Sequence, residues 1–122
     1  MSAKGSMQCR IIRSLEEIEA IAQDWRALEA QCADPMAYFQ SYDWCRNWVA
    51  RFCKDGGRTP YVVTVWQGET LVALWPRMIV ESLGLKRLET LGVPHTQYCG
   101  LLIHPALRND PDVAQCLNAA MQ

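Results

Sequence analysis

A chain of 122 residues with 50% hydrophobic and 20% charged side chains has the composition of one globular domain, far from the polar, highly charged regime of disorder. Its 12 Lys plus Arg against 13 Asp plus Glu leave a net charge of -1, and no dense basic run is available to displace counterions from a phosphate backbone, which excludes nucleic acid as the main partner. No apolar run approaches the ~20 residues of a membrane helix and the start, MSAKGSMQCR, lacks the apolar segment of a secretory signal, so a cytoplasmic location is expected.

The six cysteines, Cys9, Cys32, Cys45, Cys53, Cys99 and Cys116, are irregularly spaced and include no CxxC pair of the kind zinc sites use. They read as reduced thiols acting as small hydrophobes. Residues 1–8 carry no periodic pattern and read as a flexible segment, with the rest, 9–122, forming a single lobe. Cys9 to Arg13 suits a short first strand. Ser14 and Glu17 then make a capping box, and Leu15, Ile18, Ile21, Ala22, Trp25 and Leu28 recur at three- and four-residue intervals. One helix is predicted over residues 15–31. Asp34-Pro35 ends the pattern, because the residue before a proline avoids helical backbone. Ser41 starts a second helix, in which Trp44, Trp48, Val49 and Phe52 share a face, and Asp55-Gly56-Gly57 stops it. Tryptophans at that spacing read as core rather than as a stacking platform.

Pro60 to Arg77 is the spine. Tyr61–Trp66 and Thr70–Trp75 are apolar arms around the turn signal Gln67-Gly68-Glu69, which predicts a β-hairpin. Neither VVTV nor LVAL alternates cleanly, so both faces of the hairpin are expected to be covered. Pro76 lacks a ladder donor, which calls for a bulge there or a nitrogen turned away from the neighbouring strand. Arg77–Val80 extends the second arm. A glycine turn lies within 81–86, and 87–92 alternates polar with apolar as a half-solvated strand does. The polar-aromatic loop 92–98 leads to a short buried strand within 99–105, and Asp110-Pro111-Asp112 opens a final helix with Val113, Cys116, Leu117 and Ala120 on one face. That helix reaches Gln122 without a stop signal, and the lobe is expected to be incomplete at its C-terminus.

No P-loop, GxGxxG, HExxH or GxSxG spacing occurs, and those spacings are geometric requirements of phosphate, metal and nucleophile sites. His95 and Cys99 have the separation of a thiolate–imidazole pair, but no third group to orient them is evident. His104, before Pro105, reads as a turn residue. Glu81, Glu89 and Asp110 read as solvated carboxylates.

The order of these features resembles a known family. Trp25 and Leu28, then Tyr38-Phe39-Gln40-Ser41 with Trp44 and Trp48, then Leu74-Trp75-Pro76, Leu88-x-x-Leu91-Gly92 and Tyr98-Cys99-Gly100-Leu101-Leu102, are similar to the N-terminal half of the CelD-like acyltransferases. These are relatives of the FemAB peptidyltransferases within the GNAT superfamily. The similarity spans about residues 15 to 120 and rests on structural positions. Phe39-Gln40-Ser41-Tyr42-Asp43-Trp44 matches the family's FxSxxW, whereas Gln97 stands where an acidic residue commonly precedes the tyrosine.

The resemblance implies an α/β (α+β) GNAT-like lobe, with a mixed, mainly antiparallel sheet of about four or five strands flanked by about three helices. It implies the non-catalytic lobe of an acyl-CoA-dependent N-acyltransferase, packed against a C-terminal lobe that binds acyl-CoA through a glycine-containing loop at a helix N-terminus. No Q/R-x-x-G-x-G/A sequence occurs here. The chain itself is then expected to hold no cofactor or metal and no catalytic residue, and His95, Gln97 and Tyr98 are the expected acceptor-side residues. The alternative is a stand-alone interaction module that dimerises through an exposed apolar face.

Overall fold

The structure is a computed structural model and describes residues 7–32, 41–53, 57–90, 102–107 and 109–120. Its centre is the predicted hairpin. Strands β2 (Arg58–Gln67) and β3 (Thr70–Ser82) pair antiparallel around a turn at Gly68, whose φ of 64° is one that glycine adopts without strain. Strand β1 (Met7–Ile12) lies antiparallel on the far side of β2, from Met7↔Gln67 to Ile12↔Val62. It begins earlier than the sequence pattern places it. Strand β4 (Leu85–Thr90) pairs with the end of β3, from Ser82↔Leu85 to Arg77↔Thr90, and β5 (Leu102–Ile103) pairs with Leu74 and Ala73. The order is β1-β2-β3-β4, with β5 also on β3, and every described pairing is antiparallel.

Both faces of the hairpin are buried, which is why its arms do not alternate in hydropathy. Val62, Trp66, Leu71, Leu74 and Met78 point to one face; Val63, Val65, Val72 and Ala73 point to the other. Consecutive Val72 and Ala73 share a face because the register shifts there: Val65 opposes Ala73, then Trp66 opposes Leu71, and Val72 is the extra residue of a bulge. The bulge is therefore at Val72 and not at Pro76. Pro76 sits in register opposite Val62. The Glu81 N–H donates to Gly57 O at 2.9 Å, so the odd-numbered residues of this stretch turn their amides toward β2 and the Pro76 nitrogen faces the other edge. Of the two options the sequence left open for Pro76, the second is realised. Thr64 is buried inside the hairpin with its hydroxyl satisfied twice, donating to Arg10 O (2.7 Å) and accepting from Trp66 Nε1 (2.8 Å).

Three helices cover the first face. Helix α1 (Leu15–Ala20) begins at the predicted capping box: Ser14 Oγ accepts from Glu17 N–H, and Glu17 Oε1 accepts from Arg13 N–H. The single helix expected over 15–31 is broken at Ile21 (φ -107°, ψ 20°), where Ile21 N–H donates to Ile18 O in a tightened turn. Helix α2 (Ala22–Cys32) follows directly. The break lets the continuous apolar stripe serve two surfaces, α1 packing on α3 (Tyr42–Phe52) and α2 on β3, β5 and α3. Ser41 caps α3 by accepting from Trp44 N–H. Trp25 is fully buried and meets Tyr42 edge-on at 5.6 Å, and Trp48 lies 4.9 Å from Phe52, so these aromatics are core, as their spacing predicts. Among the described residues helix α4 (Pro111–Ala120) alone covers the second face, with Val113 and Leu117 buried against β1 and β2.

Candidate functional site

The expected acceptor-side residues His95, Gln97 and Tyr98 lie outside the described residues, as does Cys99 of the His95–Cys99 pair. The structure describes the frame that carries them. The last described pair of β4 with β3 is Arg77↔Thr90, and the first described pair of β5 with β3 is Leu74↔Leu102. Ala73 and Leu74 already pair with β2 on one side, so β5 occupies the same edge as β4 and runs in the same direction. The two described ends that flank residues 91–101 lie three residues apart on β3, about 10 Å along the strand. Between them no described residue pairs with Trp75 or Pro76 on that edge, and Pro76 offers no N–H there.

Two side chains of this stretch lie on the face that α4 covers. The Arg77 guanidinium lies 4.7 Å from the Trp75 ring centroid and donates to Leu88 O at 3.4 Å, tying β3 to β4. Trp75 packs against the α4-side core, and its buried Nε1–H meets no acceptor among the described residues. Leaving such a donor unmet costs about 1–3 kcal/mol, so it is a group that a nearby acceptor would satisfy favourably. The Trp75–Arg77 pair was not singled out from the sequence. Its signal was the i, i+2 spacing that puts two strand residues on one face.

The start of α4 is where a strand-to-helix turn would hold a pyrophosphate. The chain leaves β5 through His104, whose N–H donates to Val72 O and whose Nδ1 accepts from Ala106 N–H, so His104 is the turn residue its sequence context predicts. A single 3₁₀ turn, Pro105–Leu107, follows. Asp110 Oδ1 accepts from Asp112 N–H at 2.8 Å, and Asp112 itself lies in the first helical turn. Two carboxylates therefore complement the helix dipole, and one of them already holds an amide that an anion would need. No glycine between Leu102 and Asp112 allows close backbone approach. These residues do not fit the pyrophosphate of acyl-CoA.

A groove of about 650 Å³ runs between β1 and α4, lined by Met7, Cys9, Ile11, Asp112, Cys116 and Ala119 among others. Its volume lies in the range of small-molecule sites. Its thiols are not activated. Burial pushes the Cys9 thiol up from its ordinary range, with the nearby Cys116 adding to the effect, and burial followed by the Asp112 charge pushes Cys116 up. Burial pushes Cys45, fully enclosed, up further. Cys9, Cys32, Cys45, Cys53 and Cys116 are all unbridged, and no group of three His, Cys, Asp or Glu among the described residues could hold a metal ion.

Neither protein-family models nor curated proteins give a match to this chain. Among solved structures, the crystal structure of a GCN5-related N-acetyltransferase from Ralstonia eutropha JMP134 is similar, with a TM-score of 0.50 and 19% sequence identity over 95% of this chain and 74% of that one. At that identity the likeness is one of fold. The fold is GNAT-like: an antiparallel sheet with helices on both faces.

Proposed function

We propose that this chain is the acceptor-side, non-catalytic lobe of an acyl-CoA-dependent N-acyltransferase of the CelD-like, FemAB-related kind, and that it works against a second lobe that binds acyl-CoA. One observation carries the reading: a GNAT-like fold whose strand-to-helix turn is closed to a pyrophosphate by Asp110 and Asp112. Such a lobe keeps the scaffold and leaves donor binding to its partner. What remains for it is to line the acceptor cleft. His95, Gln97 and Tyr98, in the sequence between β4 and β5, are the residues assigned to that task. Their side chains offer both donors and acceptors beside an aromatic ring, which suits an amine or sugar acceptor. Holding that acceptor next to the thioester would supply rate through proximity and orientation.

Two measurements test the reading. Titrating coenzyme A into the 122-residue chain should give no binding heat, and micromolar affinity would overturn the assignment of donor binding to another lobe. In the assembled two-lobe enzyme, Tyr98→Phe should lower kcat/KM for the acceptor by about tenfold, the effect of one lost hydrogen bond of about 1.4 kcal/mol, and leave KM for acyl-CoA unchanged. Unchanged acceptor kinetics would remove Tyr98 from the site.

A further inference from the structure

We propose that β1 is a self-pairing edge: two copies of the chain join β1 to β1 antiparallel about a two-fold axis centred on Cys9, and their sheets become continuous. The inference is independent of the acyl-transfer reading. Among the described residues β1 is the outermost strand on its side of the sheet, paired with β2 alone. Thr64 Oγ1 on β2 donates to Arg10 O at 2.7 Å, so the Arg10 carbonyl faces β2. By alternation the backbone N–H and C=O groups of Met7, Cys9 and Ile11 turn outward, and no described strand pairs with them. A row of that kind is a template for another strand.

Natural edges are commonly blunted by a charged side chain, and Arg10 is the obvious candidate. Its guanidinium instead lies over one face of the sheet, 5.0 Å from the ring centroid of Trp66 on β2, and leaves the outward backbone groups uncovered. Among the described residues the edge is left unguarded.

The identity of the occupant follows from register. With the axis at Cys9, each Met7 opposes Ile11 of the second copy, each Gln8 opposes Arg10, and Cys9 opposes its equivalent. Apolar side chains meet apolar ones, an amide meets a guanidinium, and no like charges are opposed. Moving the axis to Arg10 sets two guanidiniums directly opposite, and Met7 then faces Arg13. Moving it to Gln8 pairs only Met7 to Cys9 among the described residues and leaves Arg10 to Ile12 without a described partner. The Cys9 register pairs Met7 through Ile11 and is self-complementary, which is what a two-fold interface demands. The same register brings together two halves of one apolar feature. Met7, Cys9 and Ile11 line the groove beside α4, so the two grooves meet at the axis and each closes the other.

Sedimentation velocity of the full chain over a roughly hundredfold concentration range should show a reversible dimer. Mild oxidation with copper–phenanthroline, in which two copper(II) complexes each take one electron from a pair of thiols and the two protons pass to solvent, should give a covalent dimer whose linking peptide is Cys9 to Cys9. Cys9→Ser should abolish the covalent dimer and keep the reversible one. Gln8 is exposed, so its substitutions leave the fold intact. Gln8→Arg, opposing the second copy's Arg10, should weaken the dimer at least about tenfold, and Gln8→Glu should tighten it. A monomer at every concentration, a cross-link mapping to other cysteines, or a dimer indifferent to both Gln8 substitutions would each overturn the proposal.

Discussion

Leu83 is the residue whose conformation fits its side chain least. It occupies the turn between β3 and β4 with φ 55°, beside Gly84 at φ 79°, and its side chain is 98% exposed. That pair of positive φ values is the hairpin geometry that favours Asn-Gly, and a leucine there bears strain with no burial to offset it. Leu83→Asn is expected to stabilise the fold by about 0.5–1 kcal/mol, read as a rise in the thermal midpoint. A fall would show that the leucine makes a contact its exposure does not reveal. The thiols give a second expectation at this scale. Cys45, Cys9 and Cys116 all have folded pKa values raised chiefly by burial, so the folded state keeps protons that the unfolded chain releases. Stability from this source is whole below the unfolded thiol pKa of about 8.5 and declines as pH rises above it. Thermal midpoints should fall between about pH 8.5 and 10, and the fall should be shallower in Cys45→Ala; a midpoint flat across that window in the parent chain would refute the linkage.

The elements were legible where local chemistry decides them. Ser14 and Ser41 cap the helices they were expected to start, Asp110 caps α4, and the hairpin turns at Gly68. The break at Ile21 was not legible, since Leu15 to Leu28 form one uninterrupted apolar stripe. The two halves differ in what they pack on, α1 on α3 and α2 on β3 and β5 as well as α3, and that difference lies in tertiary contacts that the stripe does not encode. The bulge at Val72 was hidden for a related reason, because a strand buried on both faces shows no break in hydropathy when its alternation slips. Helix α4 is the sole described cover of its face and holds it through few large side chains. Leu117→Ala, at a site only 6% exposed, should cost about 2–4 kcal/mol and raise hydrogen exchange first in α4 and β1, as measured amide by amide. Protection lost uniformly instead would mean that α4 does not open separately.

At the scale of the molecule, the sequence disclosed the class of fold but little of its surface. The groove between β1 and α4 joins residues from opposite ends of the chain, and β4 and β5 find the same edge of β3. No periodicity within either segment encodes those meetings. Pro76 was recognised as a break in pairing, yet which edge it would open depended on the parity of a strand whose bulge was unseen. The ion pairs between helices were not anticipated from the sequence either. Arg26–Asp43 and Arg46–Glu19 both join helices on the solvent side, at 2.7 Å each and well exposed, so they contribute little to the total.

On the outer edge of β3 the described ladder pairs Arg77↔Thr90 and Leu74↔Leu102 hold the chain on either side of segment 91–101. An insert between two fixed posts is a cassette: doubling its length adds only about 0.6 kcal/mol of closure entropy. Exchanging 91–101 for a glycine-serine segment of equal length should therefore leave a folded chain with a thermal midpoint within a few degrees of the parent, and collapse of the fold would contradict it. Recognition can then diversify on this scaffold without renegotiating its core.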